Sequence, residues 1–318
     1  MKKKILLSIV FLVIVVAAIA LVAKQFRTKS TWGDSEDKLK VIATLFPQYD
    51  FVRQVGKDKV DVKMLLPAGV ESHTYEPTPT DIIDINNADL FIYTGEEMEP
   101  WADRIAESID SDTKIVDSSS RVDMLKADEE EHEEGEEEHE HEHTYDPHIW
   151  LDPENAIKMV EEITYYLCSV DPEDAEYYTN NSNEYIQELK NLDSDIENVI
   201  ASGVRKKIVF GGPFAYKYFI ERYGIDYVSA YEGCGEETEP SVARVKETIE
   251  AIKADKLPVI FYDELETSNI AFTMSTETNA KALPFSSLHN LSKEKIDSGA
   301  TYISVMKENM ENLRTALN

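Results

Sequence analysis

Tyr145-Asp146-Pro147-His148-Ile149-Trp150-Leu151-Asp152-Pro153 closes one β/α alternation and opens a run of helices. Each of its two prolines fixes φ and pushes the preceding aspartate toward extended geometry, so the segment between them is stiff. Asp152 is placed to cap a helix beginning at Glu154, with Pro153 as its first helical residue. The result is an elbow that presents one imidazole, His148, beside an apolar ring, Trp150. A single histidine in a turn says little about function. A second elbow, Glu71-Ser72-His73-Thr74-Tyr75-Glu76-Pro77, repeats the order of histidine, aromatic, acid and proline.

Upstream of the first elbow, short apolar runs alternate with helical ones. Val41–Phe46 reads as a buried strand, with a short helix around Tyr49–Val55. Val60–Leu65 is a second strand, Thr80–Asn87 a helix capped by Thr80 or Asp81, and Leu90–Tyr93 a third strand. Trp101–Ile109 is helical, and Lys114–Val116 begins a fourth strand. This alternation predicts an α/β lobe, a mostly parallel sheet flanked by helices. Ligands of such sheets sit at the carboxyl ends of the strands, and His73 follows the second strand through Pro67-Ala68-Gly69.

Downstream, Glu154–Cys168 is amphipathic. Pro172 then opens a periodic run to Ile200 that carries Tyr177, Tyr178, Tyr185, Ile186, Leu189, Leu192, Ile196 and Val199. Nearly thirty helical residues reach about 40 Å, enough to join two lobes as one rod. A second alternation follows. Its strands are Lys207–Phe210, Ile225–Tyr231 and Pro258–Tyr262; its helices are Phe214–Tyr223, Ser241–Ala254 and Ser268–Asn279. Leu283–Leu288 leads to His289, and Ser298–Leu317 is the closing helix. The expected organisation is two Rossmann-like lobes joined by a long helix: lobe 39–170, connecting helix 171–203 and lobe 204–318.

The chain starts with Met1-Lys2-Lys3-Lys4 and the apolar run Ile5–Ala23. A basic head before such a run marks export, and about nineteen residues suffice to span a bilayer. Cleavage after Ala18-Ile19-Ala20 and retention as an anchor are both open, the length favouring the anchor. No cysteine stands near its end to take a lipid. Residues 1–27 are thus signal or anchor, with Lys2–Lys4 on the cytoplasmic side, and residues 28–38 a flexible tether. The net charge is −30, from 62 acids against 32 bases. Such a chain is repelled by nucleic acid and anionic membrane and attracts cations. Two cysteines, Cys168 and Cys234, are too few for a disulfide framework. Either one bridge or two buried small hydrophobes fits their spacing.

Asp128–His143 holds eleven acids, four histidines and one glycine, with no apolar residue to join a core. It is expected to be disordered. His132, His139, His141 and His143 among carboxylates suit divalent metal, zinc especially, as a weak auxiliary site. The other three histidines, His73, His148 and His289, all fall in loops rather than in apolar helical stripes. Three imidazoles meeting between two lobes would form a zinc shell lacking one donor. Metal requires neutral imidazole, so binding should weaken as pH falls through the histidine range. Asp146, Asp152 and Glu76 are candidates to orient the rings. There is no Gly-x-Ser-x-Gly elbow, P-loop, dinucleotide fingerprint or His-Glu-x-x-His helix.

These residues resemble the solute-binding proteins of zinc and manganese ABC transporters, the cluster A-I or adhesin-like metal-binding family. The resemblance covers nearly all of Leu39–Leu317. It is carried by His73-Thr74-Tyr75-Glu76-Pro77-Thr78-Pro79, Asp146–Pro153, Asp171-Pro172…Tyr177-Tyr178…Asn181, Phe219…Arg222-Tyr223-Gly224, Glu239-Pro240-Ser241 and Thr301-Tyr302…Met306…Asn309. It implies two Rossmann-like lobes with metal in the cleft, and delivery to a permease driven by a cytoplasmic ATPase. His73 and His148 fall on the family's first two ligands, and His289 near its last, which is ordinarily an acid. The third falls at Pro213, whose side chain cannot coordinate. Glu237, Glu239, Cys234, a loop histidine or water would complete the shell.

The expectation is an extracytoplasmic, monomeric, non-enzymatic zinc-binding subunit of an ABC importer, with manganese the lesser alternative. Its rivals are a secreted zinc hydrolase using Glu76 as base, and a surface adhesin or metal buffer.

Overall fold

The computed structural model describes Trp32 and residues 37–70, 72–73, 75–109, 112–127, 144–231, 233, 240–265 and 269–318. The N-terminal segment read as a signal or anchor, the acidic stretch 128–143 with its four histidines, and Cys234, Glu237 and Glu239 lie outside the described residues.

The first lobe holds β1 (Leu39–Ala43), α1 (Phe46–Gly56), β2 (Val60–Met64), α2 (Pro79–Asn86), β3 (Leu90–Tyr93), α3 (Pro100–Ser108) and β4 (Lys114–Asp117). Its four strands are parallel in the order β2-β1-β3-β4, with Leu39 opposite Val60 and Val41 opposite Leu90. Two helices follow, α4 (Pro153–Val170) and α5 (Ala175–Ser202). The second lobe holds β5 (Lys207–Phe210), α6 (Lys217–Tyr223), β6 (Asp226–Ser229), α7 (Val242–Asp255), β7 (Val259–Tyr262), α8 (Asn269–Thr278), β8 (Lys281–Pro284), α9 (Lys293–Asp297) and α10 (Tyr302–Leu317). Its order, β6-β5-β7-β8, repeats that of the first, again all parallel. The two-lobe α/β architecture is therefore the one the alternation implied.

The elements differ from expectation mainly at their ends. The apolar run from Val41 to Phe46 divides: the strand stops at Ala43 and α1 begins at Phe46. Pro47 causes this, because its missing N–H costs nothing in a first helical turn. Thr78, not Thr80 or Asp81, caps α2, in a reciprocal capping box with Asp81. Helix α6 starts at Lys217 rather than Phe214, after the Gly211-Gly212-Pro213 turn. The closing helix starts at Tyr302, and the short α9 stands separately before it.

Helix α5 has 28 residues and buries Tyr178, Tyr185, Leu189, Leu192, Ile196 and Val199 along one stripe. At about 1.5 Å per residue it is about 42 Å long. One continuous cluster of buried side chains runs from Val41 and Phe51 through Tyr185 and Leu189 to Phe210 and Leu317. The inner faces of both sheets therefore share a core. Separate smaller clusters cover the outer faces, around Phe91 in the first lobe and Ile260 in the second.

Polar ties reinforce that shared core. Arg222 of α6 pairs with Asp193 of α5 at 2.5 Å and with Glu154 of α4 at 3.1 Å. Asp50, fully buried in α1, accepts the Tyr302 amide at the start of α10 at 2.7 Å. Its burial raises its pKa, and the Tyr302 amide opposes that shift.

Part of the tether is not free. Trp32 packs against the outer cluster of the first lobe and its indole N–H donates to the Asp84 carbonyl at 3.3 Å. Lys63 Nζ lies 4.0 Å from its ring centroid and also pairs with Asp84. Trp32→Ala should lower unfolding free energy by about 1–2 kcal/mol, through lost cation–π contact and hydrogen bond. Urea denaturation of the two proteins measures this; equal midpoints would show the contact to be idle. Cys168 is a free thiol bonded to the Ala175 carbonyl at 3.5 Å.

Candidate metal centre

The Asp146–Pro153 elbow has the build its sequence implied. Ile149–Leu151 forms a single 3₁₀ turn, and the Asp152 carboxylate accepts the Glu154 amide at 2.8 Å to cap α4. Asp146 Oδ1 accepts the His148 amide at 2.9 Å and lies 3.0 Å from ring atom Nδ1. His148 is 1% exposed, and its ring meets Trp150 edge-on at a centroid distance of 5.5 Å. Tyr218 of the second lobe donates its hydroxyl to the Asp146 carbonyl at 3.0 Å and accepts the Leu125 amide at 2.9 Å. Burial pushes the Tyr218 phenol up to about 12, so it remains a neutral donor.

Of the acids proposed to orient rings, Asp146 does so. Asp152 does not: beyond its cap it faces Arg222 Nε at 3.6 Å. Glu76 is exposed on the second elbow.

His73 follows the loop after β2. Its ring meets that of His148 edge-on, with centroids 5.5 Å apart. Two imidazoles bound to one tetrahedral zinc at about 2.0–2.1 Å place their centroids about 5 Å apart. The pair is therefore spaced as two ligands of one ion would be.

His289 sits in the loop between β8 and α9 and is 6% exposed. Its Nδ1 lies 2.5 Å from Ser287 Oγ, and its carbonyl accepts the Phe46 amide at 3.2 Å. Leu288, just before it, adopts a left-handed φ of 61°. Non-glycine residues adopt that region at a cost, so the surrounding bonds must hold the turn. They do. Ser287 N donates to Asp263 Oδ2 at 2.7 Å, and Ser286 N donates to Asn309 Oδ1 at 2.8 Å.

Three loops are stitched together at the lobe junction. Asn290 Nδ2 donates to the carbonyls of Pro67 and Val70, at 2.8 and 2.7 Å, on the loop leading to His73. Gly69 N donates to the Leu291 carbonyl at 2.9 Å. Trp150 Nε1 donates to the Ser287 carbonyl at 2.7 Å, and the Trp150 carbonyl accepts the Tyr302 hydroxyl at 2.6 Å. His73 and His148 are thus in ring contact, and His289 is on a loop bonded to both of theirs. Among the described residues, no three His, Cys, Asp or Glu side chains are gathered around one point. The Gly211–Pro213 turn adds no donor. A Cβ at Gly211 would stand 2.8 Å from Ala271 Cβ, so position 211 leaves no room for a side chain.

A family model described as zinc-uptake complex component A, periplasmic (ZnuA), matches residues 41–316. The chain belongs to the ZnuA family. It is 39% identical over 308 residues to the high-affinity zinc uptake system protein ZnuA of Bacillus subtilis (strain 168), covering 95% of this chain and 96% of that one. It is 34% identical over 288 residues to the zinc-binding lipoprotein AdcA of Streptococcus pneumoniae, covering 90% of this chain and 57% of AdcA. It therefore spans little more than half the length of that relative. The crystal structure of the Zn(II)-bound ZnuA-like domain of the pneumococcal AdcA superposes with a TM-score of 0.73 at 31% identity, covering 88% of this chain and 99% of that domain. The family resemblance read from the two histidine elbows is thus correct. Within this ZnuA-family chain, sequence reasoning missed Ser287 and Asn290. Neither stands in a periodic or proline-bounded pattern that would have flagged it.

Proposed function

We propose that this ZnuA-family protein is the extracytoplasmic zinc-binding subunit of an ABC metal importer. It captures the ion at the lobe junction with His73, His148 and His289 and hands it to a membrane permease driven by a cytoplasmic ATPase. The observation that carries this reading is the His73–His148 pair, 5.5 Å between ring centroids, with Asp146 on the second nitrogen of His148. Imidazole donors suit zinc better than manganese, which prefers carboxylate oxygen. The B. subtilis and pneumococcal relatives are named for zinc. Water or a residue of the 232–239 segment, such as Glu237, Glu239 or Cys234, supplies what Pro213 cannot.

The shared core between lobes and the rod-like α5 limit closure to small adjustments, so selectivity rests on the donor set more than on a hinge. The acidic, histidine-bearing loop 128–143 serves as an auxiliary collector that raises local cation concentration. The protein acts as a monomer held at the outer membrane face by its N-terminal segment.

Calorimetry on a variant lacking residues 128–143 tests the assignment of the two sites. One tight zinc site per chain should remain, with only weaker heats lost. Disappearance of the tight site would place primary capture in the loop and overturn this reading.

A further inference from the structure

The loop that carries His73 has its feet in the first lobe and its crown bonded to the second. At one foot, the Leu65 and Leu66 amides donate to the Ala43 and Thr44 carbonyls at 2.8 and 3.1 Å. At the other, the Tyr75 hydroxyl donates to Asp81 Oδ2 at 2.9 Å. Between them residues 67–70 form a β-turn, closed by Val70 N donating to the Pro67 carbonyl at 3.1 Å. Gly69 takes a left-handed φ of 75° there, as the third position of a type II turn requires. Asn290, 1% exposed, reaches this turn from the second lobe. Its Nδ2 donates to the Pro67 and Val70 carbonyls, and its Oδ1 accepts the Leu291 amide at 2.8 Å. An amide side chain has two N–H donors, so both are spent on the turn.

Asn290 belongs to a strip that serves more than one loop. Within residues 287–291, the carbonyls at alternate positions all accept from the first lobe. Ser287 accepts from Trp150 Nε1 at 2.7 Å, His289 from the Phe46 amide at 3.2 Å and Leu291 from the Gly69 amide at 2.9 Å. The strip is anchored in its own lobe by Ser287 N on Asp263 Oδ2. Asn309 adds to this, its side chain bonding both the amide and the carbonyl of Ser286. The His289 ring and the amide that grips the His73 turn therefore come from adjacent residues of one fixed backbone.

We infer that Asn290 is the positioning residue of His73, and that through it the second lobe holds a ligand supplied by the first. This rests on the proposed zinc-binding function and deepens it. Val70, whose carbonyl Asn290 holds, stands three residues before His73, so the grip on the turn fixes where the ligand's backbone starts. Asn290 itself touches no metal. It sets the placement of His73 relative to His289, its own neighbour in the chain. Displacing the 287–291 strip then shifts two of the three ligands at once, so release needs one movement rather than two.

A double-mutant cycle tests this, with zinc affinity read by chelator competition on the full chain, Asn290→Ala, His73→Ala and the double variant. Asn290→Ala should weaken zinc about tenfold, the lower end of the 10–100-fold that groups behind a ligand contribute. In the His73→Ala background the same change should cost less than about twofold, because its effect passes through the missing ring. A loss of the same size in both backgrounds, or none in either, overturns the inference. If His73→Ala by itself leaves zinc affinity at the wild-type value, the zinc site as proposed fails, which is a separate outcome. Amide hydrogen exchange on the zinc-free wild-type protein needs no variant to fold. Gly69 N–H, bonded across to Leu291, should exchange at least about tenfold more slowly than an unstructured amide. Exchange at the unstructured rate would show the turn to be free of the strip and overturn the inference as well.

Discussion

His148→Ala is expected to weaken zinc binding by about a thousandfold or more. Partners behind a ligand are alone worth about 10–100-fold in affinity, and this change removes the ligand itself. His148 is the best prepared of the three histidines, buried to 1% exposure with its Nδ1 held by Asp146. Removing it leaves His73 without its ring partner. Asp146→Asn should produce the smaller loss, about 10–100-fold, because an amide can hold Nδ1 as a donor and present the wrong tautomer. Competition titration against a chelator of known affinity separates the two. Far-UV circular dichroism confirms that both variants fold. Wild-type affinity in His148→Ala would remove this residue from the site.

Glu99→Gln should stabilise the protein, and more at pH 8 than at pH 5. Glu99 stands just before α3 and is completely buried. Its Oε2 accepts the Thr94 amide at 2.6 Å; Oε1 has no partner in good hydrogen-bond geometry, although the Thr44 hydroxyl lies beside the carboxyl and favours its charged form. The nearby Gln48 Nε2 donates to Thr94 Oγ1 at 2.5 Å, and Gln48 Oε1 is likewise without a partner. Desolvation pushes the Glu99 carboxyl up to about 7 from 4.5, and Asp117 on β4 adds to the rise.

The sign follows from linkage. The folded state holds this proton more tightly than the unfolded chain, so the contribution of Glu99 is most favourable below about pH 4.5. It is lost progressively as pH climbs to 7 and above. At 1.36 kcal/mol per pKa unit the loss is about 3 kcal/mol. A glutamine keeps an acceptor for Thr94 and adds a donor among oxygens that lack one. Urea unfolding at pH 5 and pH 8 should therefore give a difference between variant and wild type that widens by about 2.5 kcal/mol with pH, the remainder being lost already below pH 5. A constant difference would show that Glu99 titrates normally.

The elements most legible beforehand were those set by local chemistry. The stripe from Tyr178 to Val199 announced α5, and only its ends shifted by a few residues. Leu90–Tyr93 and Lys207–Phe210 are strands with the predicted bounds, because short apolar runs between turn residues have few other uses. The Asp152 cap and the Asp146–His148 contact were readable because proline restricts its neighbours whatever the rest of the chain does. Boundaries failed where two signals overlapped, as in Val41–Phe46, where apolar character continued past the point at which Pro47 imposed a helix.

Local sequence alone determined the two α/β halves, the rod between them and the two elbows that present His73 and His148, because periodicity and proline act over only a few residues. Contacts between distant segments decided the rest. Asn290 reaches the Pro67–Val70 loop more than two hundred residues upstream, Trp150 binds the Ser287 carbonyl, and Tyr302 joins Asp50 to Trp150. Such bonds stitch the loops of the site into one junction and hold Leu288 in its left-handed turn. They also set a hydroxyl, where the other buried histidine has a carboxylate, against the ring of His289. No pattern along the chain specifies them, since each partner meets the other only after both lobes have packed on the same core.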